Sequence, residues 1–199
     1  MRRQSADGGQ ATAAARTDAG DEARLLQRIA AGELRAFEAL YRLYHPRLSR
    51  FLINMTRRPQ LVEEVLNDTM MVVWSRSDSF NGASKVSTWI FAIAYRKALK
   101  ALRKQDEPIE DKQAETRESL DAGPEQQLGA RQVQDVLLKA IGELSADHRA
   151  VVDLTYFHEI GYREIADIME CPVDTVKTRM FHARRHLKGK LAGRLTDWL

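Results

Sequence analysis

The stretch IGYREIADIMECPVDTVKTRMFHARRHLKGKL, residues 160–191, decides the fold class. It predicts a short helix over Tyr162–Met169, a tight connection over Glu170–Val173, and a second helix that Asp174 caps and that runs to about Lys188. Two short helices joined by a tight turn are typical of a helix-turn-helix unit. The stretch therefore predicts an all-helical domain that binds duplex DNA.

The second helix of this unit has two different faces. At about 100° per residue, one side carries only apolar residues and is expected to be buried, namely Val176, Met180, Ala183 and Leu187. The opposite side and its flanks are suited to base and phosphate contacts and carry Lys177, Thr178, Arg179, Phe181, His182 and Arg185. An exposed Phe181 suits contact with a thymine methyl group; the alternative is that it packs on the preceding helix.

Charge is unevenly distributed along the chain. Over 199 residues the formal net charge is only +3, but residues 1–104 carry +8, residues 105–130 carry −6 and residues 131–199 carry +1. Two basic stretches without any acid, Ser79–Gln105 and Thr175–Leu195, flank the acidic segment. They predict two contacts with a polyanion, because Lys and Arg placed on phosphates release condensed counterions. Solvated helix faces are the alternative.

Composition also predicts how the chain is organised. It divides into a disordered tail, a helical domain, a flexible acidic linker and a second helical domain, at residues 1–20, 21–104, 105–130 and 131–199. In the first domain the apolar spacing predicts four or five helices, with Pro46 and Pro59 each in the first turn of a helix. The predicted fold class is all-α: two small helical domains, the second containing the helix-turn-helix.

Several classes of protein are excluded by composition. The single cysteine, Cys171, cannot form an internal disulfide, which favours a reducing compartment. The longest uncharged apolar stretch, Val86–Tyr95, is far shorter than the about 20 residues that span a bilayer. We therefore expect a cytoplasmic protein without membrane insertion. Cys171 is expected to be a small packing residue, with a redox-active thiol as the alternative.

No cofactor, metal site or catalytic residue is predicted, so we do not expect an enzyme. His182 and His186 have the spacing of a helical zinc site but lack the intervening Glu and a third ligand. His148, Asp153 and His158 fall on different faces of one predicted helix and are interpreted as surface or interface residues. A glycine-rich phosphate loop is also missing from the sequence.

Three stretches resemble extracytoplasmic-function (ECF) sigma factors. Residues 160–191 are similar to the helix-turn-helix of sigma region 4. LVEEVLNDTMMVVW, residues 61–74, is similar to the core-binding helix of region 2, and FNGASKVSTWIFAIAYRKALKALRK, residues 80–104, resembles its DNA-melting loop and helix. A helix-turn-helix alone is widespread, whereas these motifs in this order are specific. The resemblance implies a protein that binds RNA polymerase core and directs promoter-specific initiation.

The resemblance also implies roles for individual residues. Binding of the polymerase core is implied for Glu64, Asn67 and Asp68, which lie within one helical turn; a simple solvent face is the alternative. Contact with the minus-10 element is implied for Asn81, Ser84, Lys85, Val86, Arg96, Lys97 and Lys100. Positions that match minus-35 recognition are Lys177, Thr178, Phe181 and His182. Trp89 is expected in the core, and three positions depart from the family pattern: Arg96, Glu170 and His182.

The partners that the resemblance implies are promoter DNA, the clamp and flap of the large RNA polymerase subunits, and an anti-sigma factor. The acidic linker would thread toward the polymerase active-site cleft, where its charge resembles that of a nucleic-acid strand. The alternative is a stand-alone helix-turn-helix regulator that binds duplex DNA without polymerase. In that case the first domain serves dimerisation or sensing.

Overall fold

The structure is a computed structural model that describes residues 20–106 and 137–195. The first half comprises α1 (20–30), α2 (Leu34–Thr56), α3 (Pro59–Arg76), a 3-10 helix (Ser77–Ser79) and α4 (Val86–Asp106). The second half comprises α5 (137–142), α6 (Ala146–Tyr156), α7 (Tyr162–Met169) and α8 (Val173–Leu195). No strand occurs in these two ranges, and the all-α prediction is confirmed. Nearly all of the predicted tail and linker lies outside the described residues.

The longest helix of the first half, α2, contains Pro46 in its interior. The prediction that Pro46 begins a new helix was therefore wrong. Proline inside a helix costs about 3 kcal/mol because it lacks the backbone N–H. However, each fully buried large apolar side chain contributes about 1.5 to 3 kcal/mol, so several of them outweigh this cost. An unbroken stripe of buried side chains runs past Pro46 and is formed by Leu40, Tyr44, Leu48, Phe51, Leu52 and Met55.

The reversal from α2 to α3 follows from local backbone chemistry. Arg57 ends α2 in the left-handed conformation with φ 58°. Pro59 then occupies the first turn of α3, as predicted. Behind both helices α4 buries its apolar face, and the Phe91 ring packs edge-on against Phe51 at 5.3 Å between centroids. These contacts close the core of the first half.

The second half contains the predicted helix-turn-helix, in α7 and α8. Ser145 caps α6 by accepting a hydrogen bond from the His148 backbone N–H at 3.4 Å, which confirms its predicted role. In α8 the residues Val176, Met180 and Ala183 are buried, so the predicted inner face is also confirmed. The outer face of α8 is exposed to solvent.

The two halves pack against each other through an interface that the sequence did not predict. In this interdomain interface α2 contacts α6 and α4 contacts α7, so that the apolar residues of both halves form one continuous core. The Asn54 side-chain amide donates to Asp153 Oδ1 at 2.6 Å. The His158 ring lies against Phe91, with 4.7 Å between centroids. The interface therefore combines apolar packing with buried polar groups.

Asp153 and His158 lie together at this interface rather than on separate helix faces. Their Oδ2 and Nε2 atoms are 3.1 Å apart, without hydrogen-bond geometry, and both side chains are at most 4% exposed. The placement of both residues on one helix was wrong, because α6 ends at Tyr156, but their interpretation as interface residues agrees with their position. Beyond that point the chain folds back, with the Ile160 N–H donating to the Leu154 carbonyl at 2.9 Å.

Arg149 joins α6 to the end of α2 and to the α5–α6 connection through three backbone carbonyls, and its replacement by Ala should destabilise the fold. Its guanidinium donates to Met55 O at 2.8 Å, to Gly142 O at 3.3 Å and to Leu144 O, and burial lowers its pKa. Arg149→Ala leaves these acceptors without their partner, so we expect a loss of about 2 to 4 kcal/mol in the free energy of unfolding, measured with urea.

The matched control for this experiment is Arg35→Ala, because Arg35 is an exposed arginine on α2. It should change the unfolding free energy by less than about 0.5 kcal/mol. Equal effects of the two substitutions would contradict the role assigned to Arg149.

Candidate nucleic-acid and protein interfaces

The outer face of α8 brings together five of the six residues predicted for it, all exposed: Lys177, Thr178, Phe181, His182 and Arg185. The Phe181 side chain is 61% exposed, so it does not pack on α7. Its ring lies 5.6 Å from the His182 ring, measured between centroids. An apolar ring surrounded by cations and hydrogen-bonding groups is suited to the edges of base pairs in a major groove.

Arg179 does not join this face. Its side chain is 24% exposed and its Nη2 lies 2.5 Å from Asp147 Oδ2 on α6. The other oxygen of Asp147 accepts a hydrogen bond from the Tyr95 hydroxyl on α4 at 2.7 Å. Burial, reinforced by the Asp147 carboxylate, raises the pKa of Tyr95 above its usual range. Arg179 therefore lies in the interdomain interface, where its role in DNA contact stays a prediction.

The loop before α4 is shaped by a small polar turn. Asn81 Oδ1 accepts from the Ala83 N–H at 3.0 Å, and Gly82 has φ 73°, a conformation that glycine adopts without strain. Val86 is only 3% exposed, so its side chain anchors the loop in the core and does not face solvent. Next to the loop is a cavity of about 500 Å³ whose lining includes Phe80, Ser84, Val86, Thr88, Glu164 and Asp167.

The basic residues of α4 differ in what they contact. Lys100 is exposed, whereas Lys97 Nζ lies 3.1 Å from Asp68 Oδ2 on α3. Arg96 forms an ion pair with Glu170, from the turn between α7 and α8. Trp89 is half-buried and packs on Phe80 with 5.6 Å between ring centroids, as expected of a residue in the core. The cationic side of α4 therefore faces both solvent and the second half.

The three residues predicted for core binding are all exposed on α3. Asn67 Oδ1 accepts from the Tyr41 hydroxyl at 3.2 Å. Next to them lies an apolar surface that sequence reasoning missed, in which Met71 is 61% exposed and Trp74 packs edge-on against Phe37 at 5.2 Å. The spacing of Phe37 and Tyr41 at i, i+4 is the signal that could have shown it. A partly acidic patch beside exposed apolar groups is typical of a protein-binding surface.

The remaining histidines and the cysteine contact residues of their own half. His186 lies 3.3 Å from Glu143, and Lys190, 2.7 Å from the same carboxylate, lowers the pKa of Glu143. Cys171 is half-buried, with Arg179 Nη1 at 3.7 Å from its sulfur. Within residues 20–106 and 137–195 no group of three or more His, Cys, Asp or Glu side chains is arranged to hold a metal ion.

A further surface of the second half is an apolar groove. It has a volume of about 580 Å³, and its lining includes Leu137, Ile141, Val152, Leu187 and Leu191. Tyr156 and Phe157, both largely exposed, stand at its side, with the Arg50 guanidinium 4.4 Å from the centre of the Phe157 ring. Of the helices described here, none is long and apolar enough to cross a membrane.

Fold and surfaces together fit a helical DNA-binding protein, and comparison with known proteins identifies the class. The family model for sigma-70 region 2 matches residues 40–107, and that for sigma-70 region 4 matches residues 134–187. The chain therefore belongs to the sigma-70 family, and its similarity to ECF sigma-E factors assigns it to the ECF group. Between them the two matches span both halves of the fold, which favours a sigma factor over a stand-alone regulator.

Relatives and solved structures agree with this assignment. The chain is 28% identical over 177 residues to the ECF RNA polymerase sigma-E factor of Haemophilus influenzae, covering 84% of this chain and 93% of that protein. It is 27% identical over 171 residues to the RNA polymerase sigma-H factor of Pseudomonas aeruginosa, covering 81% and 89%. These relatives are covered over nearly their whole length.

Two solved structures share the fold. CnrH, in complex with the cytosolic domain of CnrY, has a TM-score of 0.65 at 22% identity, covering 87% of this chain and 98% of that one. The sigma factor RpoE of Bartonella quintana, in complex with the anti-sigma factor NepR, has a TM-score of 0.60 at 24% identity, covering 80% and 98%.

His148, which lies beside the exposed face of α8, should make stability depend on pH. Burial, and then the charges of Arg179 and His182, lower its pKa below the ordinary 6.5. The unfolded chain therefore binds the proton more readily, and the free energy of unfolding should fall as the pH drops below about 6.5. His148→Gln should flatten this dependence in urea unfolding between about pH 7.5 and 5.5. His45→Gln is the control, and parallel curves for His148→Gln and the unmodified protein would contradict the prediction.

Proposed function

We propose that this ECF sigma factor recognises the minus-35 element with the exposed face of α8, the minus-10 element with the loop before α4, and RNA polymerase core with α3. The observation that carries the proposal is the 61% exposure of Phe181 at the centre of a cationic helix face. An apolar ring flanked by cations matches the thymine methyl groups and phosphates that line a major groove. The protein supplies specificity and no catalytic step of its own, and it works in the cytoplasm.

At the minus-35 element α8 lies in the major groove, with its inner face held by α7. Phe181 contacts a thymine methyl group or a sugar edge, while Lys177 and Arg185 neutralise phosphates. Thr178 Oγ1 donates to the Asp174 carbonyl at 2.8 Å, which restrains the rotamer of this exposed side chain. His182 offers a weaker and more pH-sensitive guanine contact than Arg would.

At the minus-10 element the loop over residues 81–86 receives an unpaired base. Its cavity of about 500 Å³ has aromatic and hydroxyl groups in its lining, which suit an unstacked base. Lys85, Arg96, Lys97 and Lys100 neutralise the phosphates of the opened strand. Arg179 is held beside the first half by Asp147, which also binds Tyr95. It therefore contributes less to the major-groove contact than the exposed residues of α8 do.

Core polymerase docks on the surface formed by Glu64, Asn67, Asp68 and the neighbouring apolar residues of α2 and α3. Its acidic part complements a basic partner such as the polymerase clamp, and exposed Met71 adds apolar area. The two domains span residues 21–104 and 131–199. The linker, residues 105–130, would thread toward the polymerase active-site cleft, where its acidic charge resembles that of a nucleic-acid strand.

An anti-sigma factor controls the protein through the apolar groove of the second half. Both solved relatives are described in complexes, one with an anti-sigma factor and one with a cytosolic domain. The groove suits an amphipathic helix, because its lining is apolar along one side and Arg184 and Lys188 stand at its rim. The two cations favour an occupant with acidic residues beside its apolar face.

Run-off transcription with purified core polymerase tests the proposed function. The protein should direct initiation from specific fragments of a genomic library, and these fragments should define its promoters. Asp68→Lys reverses the charge of the proposed core-binding patch, so transcription should fall by about tenfold or more. Asp21→Lys, which reverses an exposed acid on α1, is the control. Absence of any promoter-dependent transcript with the unmodified protein would refute the sigma-factor assignment.

Phe181→Ala should weaken specific promoter binding without affecting the fold. Loss of one apolar base contact costs about 1 to 3 kcal/mol of discrimination, which a gel-shift titration on a recovered promoter fragment measures. Met71→Ala is the matched control, because Met71 is also 61% exposed but lies on α3. An equal loss on duplex DNA of random sequence would show that Phe181 contributes no base recognition.

A further inference from the structure

A cleft lined mainly by charged side chains lies between α4 and the helix-turn-helix unit. Its volume is about 500 Å³, and residues of both halves form its walls. Among the described residues, its lining contains four cations, namely Arg96, Lys100 and Arg103 of α4 and Arg179 of α8. The same lining contains two acids, Asp147 and Glu170. The formal excess of two positive charges favours an anionic occupant.

The three cations of α4 form a row on one side of the helix. Arg96, Lys100 and Arg103 are spaced i, i+4 and i+7, and all three are exposed. Among the side chains that the structure describes, neither Lys100 nor Arg103 forms an ion pair with a carboxylate. Arginine binds phosphate through two parallel N–H groups, and lysine binds it as a point charge. The row is therefore suited to a chain of phosphate groups.

Across from this row, the second half forms the opposite wall of the cleft. Arg179 Nη2 lies 2.5 Å from Asp147 Oδ2, and the Tyr95 hydroxyl donates to Asp147 Oδ1 at 2.7 Å. Both oxygens of this carboxylate are therefore engaged, and the adjacent guanidinium offsets its repulsion of an incoming phosphate. Because the cleft has two walls, its volume of about 500 Å³ falls within the range of sites for small molecules.

Glu170 can give up its place in the row to a ligand. Its carboxylate pairs with Arg96, but the two side chains are 63% and 47% exposed, respectively. Exposed ion pairs contribute little to stability, because water screens both charges. A phosphate offers more acceptor oxygens and more charge than a carboxylate does. It can therefore replace the carboxylate at Arg96 while the Glu170 side chain turns to solvent.

The cleft also has an apolar surface. Leu99 is half-buried, Met169 is only 6% exposed, and both belong to the lining. The methionine thioether makes favourable contacts with aromatic rings. A nucleotide needs both features, cations for its phosphates and apolar side chains for its base, whereas a simple inorganic anion would use only the cations.

We propose that this cleft binds a nucleotide with two or more phosphate groups. The phosphates lie on Arg96, Lys100 and Arg103, and the base packs against Leu99 and Met169. The bound nucleotide contacts both halves of the protein. Lys100 is also one of the residues proposed for the opened strand, so nucleotide and strand compete for it. This competition rests on the proposed function, whereas nucleotide binding itself does not.

Titration of the full-length protein with fluorescent mant-ADP and mant-GDP, without polymerase, tests the site. We expect saturable binding of at least one probe with a Kd below about 1 mM. Unlabelled ADP should displace the probe, whereas adenosine and sodium sulfate at the same concentration should not. Displacement by sulfate as effective as that by ADP would indicate a simple anion site. That result, or the absence of saturable binding of both probes, overturns the proposal.

Loss of the two unpaired cations should weaken nucleotide binding. Lys100→Gln combined with Arg103→Gln removes two charge-assisted phosphate contacts, so the affinity for the mant-nucleotide should fall by about tenfold or more. The matched control is Arg35→Gln combined with Lys104→Gln, which removes two exposed cations that are not among the lining residues. All four positions are exposed, so unfolding in urea should stay the same. Equal losses in the two double variants would reduce the effect to net charge and overturn the proposal.

Glu170→Gln should change the affinity in the opposite direction. It removes the carboxylate that competes for Arg96, so the mant-nucleotide should bind about two- to fivefold more tightly. Partial unfolding cannot produce such a gain. Unchanged or weaker binding would contradict the exchange at Arg96 and overturn the assignment of the phosphates to this row.

A fluorescein-labelled oligo-dT strand tests the other occupant of the cleft. ADP should lower the apparent affinity for oligo-dT, because both ligands use Lys100. The cleft belongs to the strand, and the proposal is overturned, if the Lys100→Gln/Arg103→Gln variant loses oligo-dT binding while the unmodified protein binds no nucleotide. Failure of the proposed function is distinguishable, because no run-off transcript would then appear although the mant-nucleotide still binds.

Discussion

Burial of the apolar face of α4 is the constraint on which the other surfaces depend. Phe91, Ile90 and Ala94 are completely buried, and Phe91 contacts both Phe51 of α2 and His158 of the second half. Because one side of the helix is fixed in this way, its polar side is fixed as well. Arg96 and Lys97 are thereby held at defined positions relative to α3 and α7. The position of these cations therefore depends on how α4 packs and not only on their charge.

The small formal charge of +3 hides opposite charges, some of which form ion pairs within the described residues. Cations of α4 and of the loop before it contact acids on α3 and at both ends of α7, so part of the local charge is neutralised inside the molecule. A sequence count sees the two basic stretches but not the acids that face them. Charge patterning therefore predicts polyanion-binding surfaces, whereas the ion pairs that neutralise part of them join residues far apart in the sequence.

Local signals predicted the local structure well. The bounds of α7, the inner face of α8, the cap at Ser145 and the start of α3 at Pro59 all depend on residues within a few positions of each other. The failures have a different physical origin. Pro46 stays helical because of burial against distant helices, Val86 is drawn into the core, and Arg179 turns to an Asp147 that also binds Tyr95. Such contacts between distant residues leave no periodic trace in the sequence.

Asp147 is shared by groups from both halves, and this has a mechanical consequence. Arg179 and Asp147 belong to the second half and stay together, so separation costs Asp147 only the hydroxyl of Tyr95. Water can replace that single hydrogen bond at a net cost of about 0.5 to 1.5 kcal/mol. The two halves are therefore held together mainly by the apolar core that they share, to which Tyr95 adds one polar contact.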